Sequence, residues 1–179
     1  MNNKATLYWV TGLSGAGKTT FGTMLYEQMR STKENVVFLD GDILRTVFHS
    51  DDYTNEGRKK LAYRYSSLCK MLVDQGIDVV ICTIAMYEEV RQWNRDHISS
   101  YCEIYIKVSM DELVRRDQKQ LYSRALKKEI QNVMGIDVAF DEPVCPDIVL
   151  SNDGDREIKE VYQNLLERVQ KWEKNHNCV

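Results

Sequence analysis

The sequence predicts an α/β fold in which five parallel strands form one sheet with helices on both faces. Two observations lead to this fold class. Five short apolar runs alternate with segments of helical periodicity, and the first run leads directly into a glycine-rich turn before a helix. The chain has 179 residues, 43% of them hydrophobic, which suffices for one core. We therefore expect a single domain over residues 1–179.

The turn after the first strand carries a phosphate-binding motif. Strand-like residues 6–11 precede Gly12-Leu13-Ser14-Gly15-Ala16-Gly17-Lys18-Thr19-Thr20, which matches G-x-x-x-x-G-K-[ST], and an apolar helix face follows. In such a loop, backbone N–H groups surround a polyphosphate at the positive end of the helix. Lys18 is expected to reach the β- and γ-phosphates of ATP, and the Thr19 hydroxyl to lie beside Mg²⁺. The fold is therefore expected to be that of a P-loop nucleotide kinase.

Two carboxylates follow the second strand. Residues 36–39 form a continuous apolar run, typical of a parallel strand covered on both faces, and Asp40-Gly41-Asp42 comes next. Ligands of open α/β sheets bind beyond the carboxyl ends of the strands, so these acids should lie near the phosphate loop. One acid can hold the metal while the other accepts a proton from an attacking hydroxyl. Asp42 could instead simply cap the short helix that follows.

The remaining elements alternate in order. Leu61, Tyr65, Leu68 and Leu72 fall at helical spacing, and Arg58 lies near the start of that helix. Strands are predicted at residues 78–84, 102–108 and 147–151, with helices between them. The last helix carries an apolar stripe of Ile158, Val161, Leu165, Val169 and Trp172.

Residues 118–135 form a basic segment in an otherwise acidic protein, with Lys119, Arg124, Lys127 and Lys128. Such a charge run is often a solvated surface. In an enzyme that handles phosphate, a basic segment can also fold over the site as a lid, excluding water and stabilising transferred charge. Because few apolar residues anchor it, this lid is expected to be mobile without ligand.

The composition narrows the possible partners and location. The formal net charge is −3, so a broad nucleic-acid-binding surface is not expected. No run approaches the roughly 18 apolar residues of a membrane span. Five scattered cysteines without a C-x-x-C pair argue against a disulfide framework or a zinc site. We expect a cytoplasmic protein whose partners are small-molecule nucleotides, without nucleic acid or membrane; a homodimer is left open.

Four motifs together resemble those of the adenylyl-sulfate kinases. They are Gly12 to Thr20, Leu39-Asp40-Gly41-Asp42 with Arg45, Arg116 to Tyr122, and Gly135-Ile136-Asp137. The resemblance runs in order from Thr6 to about Leu150. It implies an enzyme of sulfate assimilation that transfers the γ-phosphoryl group of ATP to the 3′-hydroxyl of adenylyl sulfate.

The resemblance also implies roles for single residues. It places Lys18 and Thr19 at ATP and magnesium, Asp40 in the metal shell, Asp42 at the 3′-hydroxyl, and Arg116 at the ATP adenine. The acceptor-binding positions that it implies, besides Asp42, are Arg45, Tyr53, Arg58, Ile84, Lys119 and Val133. Among these, Tyr53 stands where a phenylalanine stacks on the acceptor base.

The acceptor half of the pattern departs from the family. Leu61 stands where an asparagine is usual, Val133 where a second phenylalanine would stack on the purine, and Ala85-Met86 where Ser-Pro is common. Lost stacking is worth about 1–3 kcal/mol per aromatic, which weakens adenine preference or suits another base. Some proteins that resemble this family phosphorylate cytidine diphosphoramidate in capsule pathways, and that acceptor is the alternative. A non-catalytic nucleotide sensor is a second alternative.

Overall fold

The computed structural model describes residues 4–176, and these form one parallel sheet with helices on both faces. The strands are β1 (Leu7–Thr11), β2 (Val36–Asp40), β3 (Asp78–Thr83), β4 (Tyr101–Lys107) and β5 (Ile148–Ser151). Their order across the sheet is β2-β3-β1-β4-β5, and every neighbouring pair is parallel. The predicted fold class is confirmed.

The helices are α1 (Lys18–Arg30), α2 (Gly41–Val47), α3 (Asn55–Asp74), α4 (Glu88–His97), α5 (Met110–Arg116), α6 (Leu121–Leu126) and α7 (Ile158–His176). A short 3₁₀ turn, Gln118–Gln120, joins α5 to α6. Helix α1 contacts α7, and α3 contacts α4, so that two helical layers enclose the sheet. All residues of β1 and β3 are buried as a result.

The prediction that β2 is covered on both faces is wrong. Val36 is buried, but the other four residues of the strand are only partly buried. The reason is the strand order, because β2 lies at the edge of the sheet and pairs with β3 alone. A continuous apolar run therefore marked an edge strand here.

The stripe predicted on the last helix is correct except at its first residue. Val161, Leu165, Val169 and Trp172 are buried. Ile158 is 56% exposed, because it begins α7 at the mouth of a cleft rather than against the sheet. One apolar side chain of the stripe therefore lies at this cleft rather than in the core.

The structure shows where four of the five cysteines lie. Cys69, Cys82 and Cys102 are buried free thiols, Cys145 is exposed, and Cys178 lies outside the described residues.

Within residues 4–176, none of the helices has both the length and the apolar character that crossing a membrane requires.

Candidate active site

One cleft of about 1030 Å³ opens at the carboxyl edge of the sheet. It joins the phosphate loop, the acid pair after β2, the start of α3, the end of β3 and the basic segment. Of the residues predicted for the site, it is lined by Ser14, Gly15, Gly17, Lys18, Thr19, Thr20, Asp40, Asp42, Arg45, Tyr53, Arg58, Ile84, Arg116, Lys119 and Val133. Residues far apart in the sequence are thus brought to a single cavity.

Gly12 and Ala16 were also predicted to bind ATP, and they lie behind the cleft wall. Both are buried. Gly12 has a φ of 150°, and a Cβ there would lie 2.5 Å from the carbonyl oxygen of Ile106. Glycine is therefore needed at this position so that the loop can pass close to β4.

The phosphate loop ends at the N-terminus of α1, as the motif predicts. Gly15 and Gly17 adopt positive φ values of 77° and 100°, which side chains other than glycine rarely tolerate. The Lys18 Nζ donates a 2.8 Å hydrogen bond to the carbonyl oxygen of Leu13. Burial of the Lys18 ammonium lowers its pKa to about 8. A bound phosphate would place further negative charge beside this ammonium and favour its protonated form.

The predicted metal residues contact each other. The Thr19 hydroxyl donates to Asp40 Oδ2 at 3.1 Å. A hydroxyl and a carboxylate fit Mg²⁺, which keeps several waters and completes its octahedron with substrate phosphates. Among residues 4–176 no cluster of three or more acidic, histidine or cysteine side chains offers a protein-only metal cage. The donor set therefore suits a metal that arrives with a nucleotide.

Asp40 also caps the N-terminus of helix α2. Its Oδ1 accepts hydrogen bonds from the backbone N–H groups of Asp42 and Ile43, at 2.9 and 3.2 Å. The alternative prediction that Asp42 caps the helix is wrong, because Asp40 does so. The Asp42 carboxylate is left exposed at the cleft.

Two arginines surround Tyr53 in the acceptor half, the part of the cleft that the family resemblance predicts to bind the acceptor. The guanidinium carbons of Arg45 and Arg58 lie 4.2 and 5.2 Å from the centre of the tyrosine ring. Arg45 donates to the carbonyl oxygens of Ser50 and Asp52 at 3.2 and 3.1 Å. Burial, and then the charge of Arg45, lower the pKa of Arg58. An anionic acceptor would relieve this repulsion.

A loop carrying Val133 closes the acceptor half. Arg58 Nη2 donates to the Asn132 carbonyl at 2.7 Å, and the Asp137 carboxylate accepts from the N–H groups of Asn132 and Val133, each at 2.6 Å. Val133 is 4% exposed, and Leu61 on α3 is 2% exposed. Two buried aliphatic side chains thus stand where the family resemblance expects an asparagine and a phenylalanine.

Arg116 lies at the other end of the cleft. Its Nε donates to Glu112 Oε1 at 2.7 Å, and its Nη2 donates to the Asn152 carbonyl. Hydrogen bonds from Arg115 and Arg116 lower the pKa of Glu112 to about 2. The Arg116 guanidinium is therefore held between α5 and the turn after β5, with Ile158 on the same cleft wall.

The basic segment is better anchored than its sequence suggests. Tyr122 is fully buried, and its hydroxyl donates to the Ser14 carbonyl at 2.8 Å. Asp117 Oδ1 accepts from the N–H groups of Tyr122 and Ser123. The prediction that few apolar residues hold this segment is wrong for residues 121–126, since Tyr122 and Ala125 are buried. Its cations Lys119, Arg124, Lys127 and Lys128 are exposed.

Sequence reasoning missed two residues that line the cleft, Glu112 and Asn152, and two that hold its loops without lining it, Tyr122 and Asp137. Glu112, Tyr122, Asp137 and Asn152 have the contacts described above. A signal existed for Asn152, because it directly follows the last strand, at the edge where ligands bind. Tyr122 and Asp137 belong to the motifs quoted above, but their spacing does not reveal their partners.

The phosphate loop, the acid pair and the parallel sheet define a P-loop kinase, a phosphotransferase with an alcohol as acceptor. The family model for adenylylsulphate kinase matches residues 4–151. The chain belongs to the adenylylsulphate kinase family.

Individual relatives differ in the substrates that their names state. The chain is similar to a cytidine diphosphoramidate kinase from Campylobacter jejuni, with 40% identity over 94% of this chain and 99% of the relative. It is 33% identical to an adenylyl-sulfate kinase from Oceanobacillus iheyensis, over 92% of this chain and 84% of the relative.

The structure is similar to that of the Mycobacterium tuberculosis APS kinase in complex with AMPPNP and APS. The TM-score is 0.83, the identity is 28%, and the match covers 93% of this chain and 98% of that chain. The likeness extends over nearly the whole of both molecules, so the cleft described above belongs to a shared architecture.

Proposed function

We propose that this chain transfers the γ-phosphoryl group of ATP·Mg²⁺ to the 3′-hydroxyl of a nucleotide that carries a small anionic group on its 5′ side. The observation that carries this proposal is the continuity of the cleft. The same cavity is lined by Lys18 and Thr19 at one part and by Arg45 and Arg58 at another, with Asp42 on its wall. A donor and an anionic acceptor can therefore be bound together.

The proposed chemistry is an in-line displacement. The acceptor 3′-oxygen forms a bond to the γ-phosphorus, the bond from this phosphorus to the β–γ bridging oxygen breaks, and ADP leaves. The acceptor proton passes to the Asp42 carboxylate, which orients the hydroxyl. Lys18 balances charge on the phosphates. Thr19 and Asp40 would hold Mg²⁺, which neutralises the phosphate oxygens when bound.

The acceptor that we propose is cytidine diphosphoramidate. Its support is the 40% identity to a kinase of that name over almost the whole of both chains. The pocket supports this choice, because Leu61 and Val133 are buried aliphatic residues that line it together with Tyr53. With Val133 in place of the phenylalanine that the family resemblance expects, the two-sided aromatic stack that favours a purine loses one partner.

Adenylyl sulfate is the second candidate. It is supported by the family match and by relatives named adenylyl-sulfate kinase at 32–33% identity. Arg45 and Arg58 suit both acceptors, since a phosphosulfate and a diphosphoramidate each present anionic oxygens.

One assay separates the candidates. ADP release is followed with ATP·Mg²⁺ and each acceptor, kcat/KM values are compared, and phosphorus NMR locates the new phosphate. CDP and AMP serve as controls that lack the amide or the sulfate. We expect the cytidine nucleotide to have the larger kcat/KM. A larger value for adenylyl sulfate would establish the second candidate, and no ADP release with either acceptor would favour a nucleotide sensor.

A further inference from the structure

Three consecutive carbonyl groups of the phosphate loop are approached by side chains from outside the loop. The Tyr122 hydroxyl donates to Ser14 O at 2.8 Å, and Asn152 Nδ2 donates to Ala16 O at 2.9 Å. Arg116 Nη1 makes a longer contact of 3.4 Å with Gly15 O. These side chains come from α6, the turn after β5 and α5, which are separate parts of the chain.

The geometry of the peptide unit gives these contacts a consequence. A trans peptide is planar, and its C=O and N–H groups point in opposite directions. Tyr122 does not line the cleft, so its bond holds Ser14 O away from the cleft and turns the N–H of Gly15, on the same peptide unit, toward it. The bond from Asn152 fixes the Ala16–Gly17 peptide unit in the same way, with the N–H of Gly17 directed away from the Asn152 amide. Backbone N–H groups that converge in this way form an anion-binding concavity.

The backbone hydrogen bonds of the loop are consistent with these peptide orientations. The N–H of Ala16 is used within the loop, where it donates to Leu13 O at 3.2 Å. In the described part of the chain, the N–H groups of Gly15 and Gly17 have no such backbone partner. The two short contacts thus support the two peptide units whose N–H groups remain available to a phosphate.

We propose that Tyr122 and Asn152 are positioning residues that preorganise the phosphate loop for the nucleotide. This inference rests on the proposed ATP-dependent function. Both donors are themselves fixed: Tyr122 is fully buried with its N–H bound by Asp117, and the Asn152 N–H donates to Lys107 O next to β5. A loop held in its binding geometry loses less entropy when the ligand arrives.

Close packing supports the role of Asn152. A Cβ added to Gly17 would lie 2.9 Å from Asn152 Nδ2, so the loop backbone and this amide are in direct contact.

Tyr122 also links the phosphate loop to the basic segment, because it belongs to that segment. The start of that segment and the phosphate loop are joined through one hydrogen bond, so displacement of residues 121–126 would release Ser14 O.

The test uses Tyr122→Phe and Asn152→Ala in the full-length enzyme, with ADP·Mg²⁺ as the calorimetric probe and KM for ATP as the kinetic readout. Each change removes one hydrogen bond that orients a binding group, so we expect the Kd for ADP and the KM for ATP to rise roughly 2- to 12-fold. The KM for the acceptor at saturating ATP should not change.

The chain offers a matched control for each variant. Tyr162→Phe removes a hydroxyl that donates to the Met24 carbonyl at 2.8 Å, outside the loop. Asn35→Ala removes an amide that donates to the Gly76 carbonyl. Each control variant loses the same hydroxyl or amide group as its test variant. Both should leave the Kd for ADP unchanged, even if the melting temperature changes.

The outcomes are distinguishable. Wild-type ADP affinity in Asn152→Ala, or equal losses in the two controls, would overturn the positioning role. Asn152 is only partly buried, so its variant decides the question alone if Tyr122→Phe does not fold. Failure of the wild-type protein to bind ADP·Mg²⁺ would instead count against the proposed function.

Discussion

The proposed ATP half and the proposed acceptor half of the cleft are built in different ways. In the ATP half, the phosphate loop runs between β1 and α1, and its carbonyls are held by Lys18, Tyr122 and Asn152. In the acceptor half, Tyr53 and Val133 lie on loops, and Arg45 and Arg58 donate to the carbonyls of those loops.

The two halves use different chemical groups for binding. Backbone N–H groups on rigid elements recognise phosphate, which is the same in every donor nucleotide. The acceptor is proposed to meet individual side chains instead, on helices α2 and α3 as well as on loops, and a side chain can be replaced without altering the backbone. Leu61, Val133 and Ala85-Met86 therefore change the acceptor half, whereas the phosphate motif stays complete. The predictions below test this contrast.

The largest effect is expected for Lys18→Ala. This change removes the cation from the transferred phosphoryl group, and it should lower kcat/KM by roughly 10³–10⁵ with either acceptor. The fold should persist, since Lys18 loses one hydrogen bond to Leu13. Steady-state kinetics and thermal melting measure the two effects. Lys70→Ala, which removes an exposed ion pair with Asp74, is the control; near wild-type turnover in Lys18→Ala would refute the assignment.

Asp42→Asn should come next, with an effect confined to the chemical step. Removing a positioned general base lowers kcat by roughly 10²–10⁴, while ATP affinity should remain close to that of wild type. Asp40, and not Asp42, caps α2, so the variant should keep the helix. Single-turnover kinetics and ATP titration separate the two quantities. Asp74→Asn on the exposed end of α3 is the control, and unchanged turnover would leave Asp42 without a catalytic role.

Val133→Phe should shift preference between acceptors. A second aromatic ring should tighten adenylyl sulfate binding by about 1–3 kcal/mol, or roughly 5- to 150-fold. The same ring should reduce activity with the cytidine nucleotide, because the buried site has less room for the acceptor. The ratio of the two kcat/KM values is the measurement. Val144→Phe, at a position 83% exposed, is the control. An unchanged ratio would show that Val133 does not select the base.

The smallest effect concerns the basic segment. Tyr122 and Asp117 hold its first half, so cleavage by trypsin without nucleotide should occur mainly at Lys127 and Lys128 rather than at Arg124. ATP analogue plus acceptor should slow this cleavage several-fold, because the exposed cations then contact anionic ligands. Mass spectrometry of the fragments gives the sites. Equal cleavage rates with and without ligands would argue against a lid.

Much of the molecule follows from local sequence. The phosphate motif requires backbone conformations that its glycines supply, and it predicts the loop between β1 and α1. Apolar runs and helical periodicity predict the five strands and the core faces of α3 and α7. They do so because the residues of a buried face recur at the period of their strand or helix. The rule for open α/β sheets also brings Asp40 and Asp42 to the phosphate loop.

The tertiary structure alone decided which distant groups meet. Strand order made β2 an edge strand, which pairs with β3 alone. Tyr122 and Asn152 reach the phosphate loop across 108 and 136 positions of sequence. No local pattern encodes such contacts, since a hydroxyl or an amide has the same propensity wherever its acceptor lies. They depend on the packing of the finished sheet and its helices, which brings separate segments within hydrogen-bonding distance.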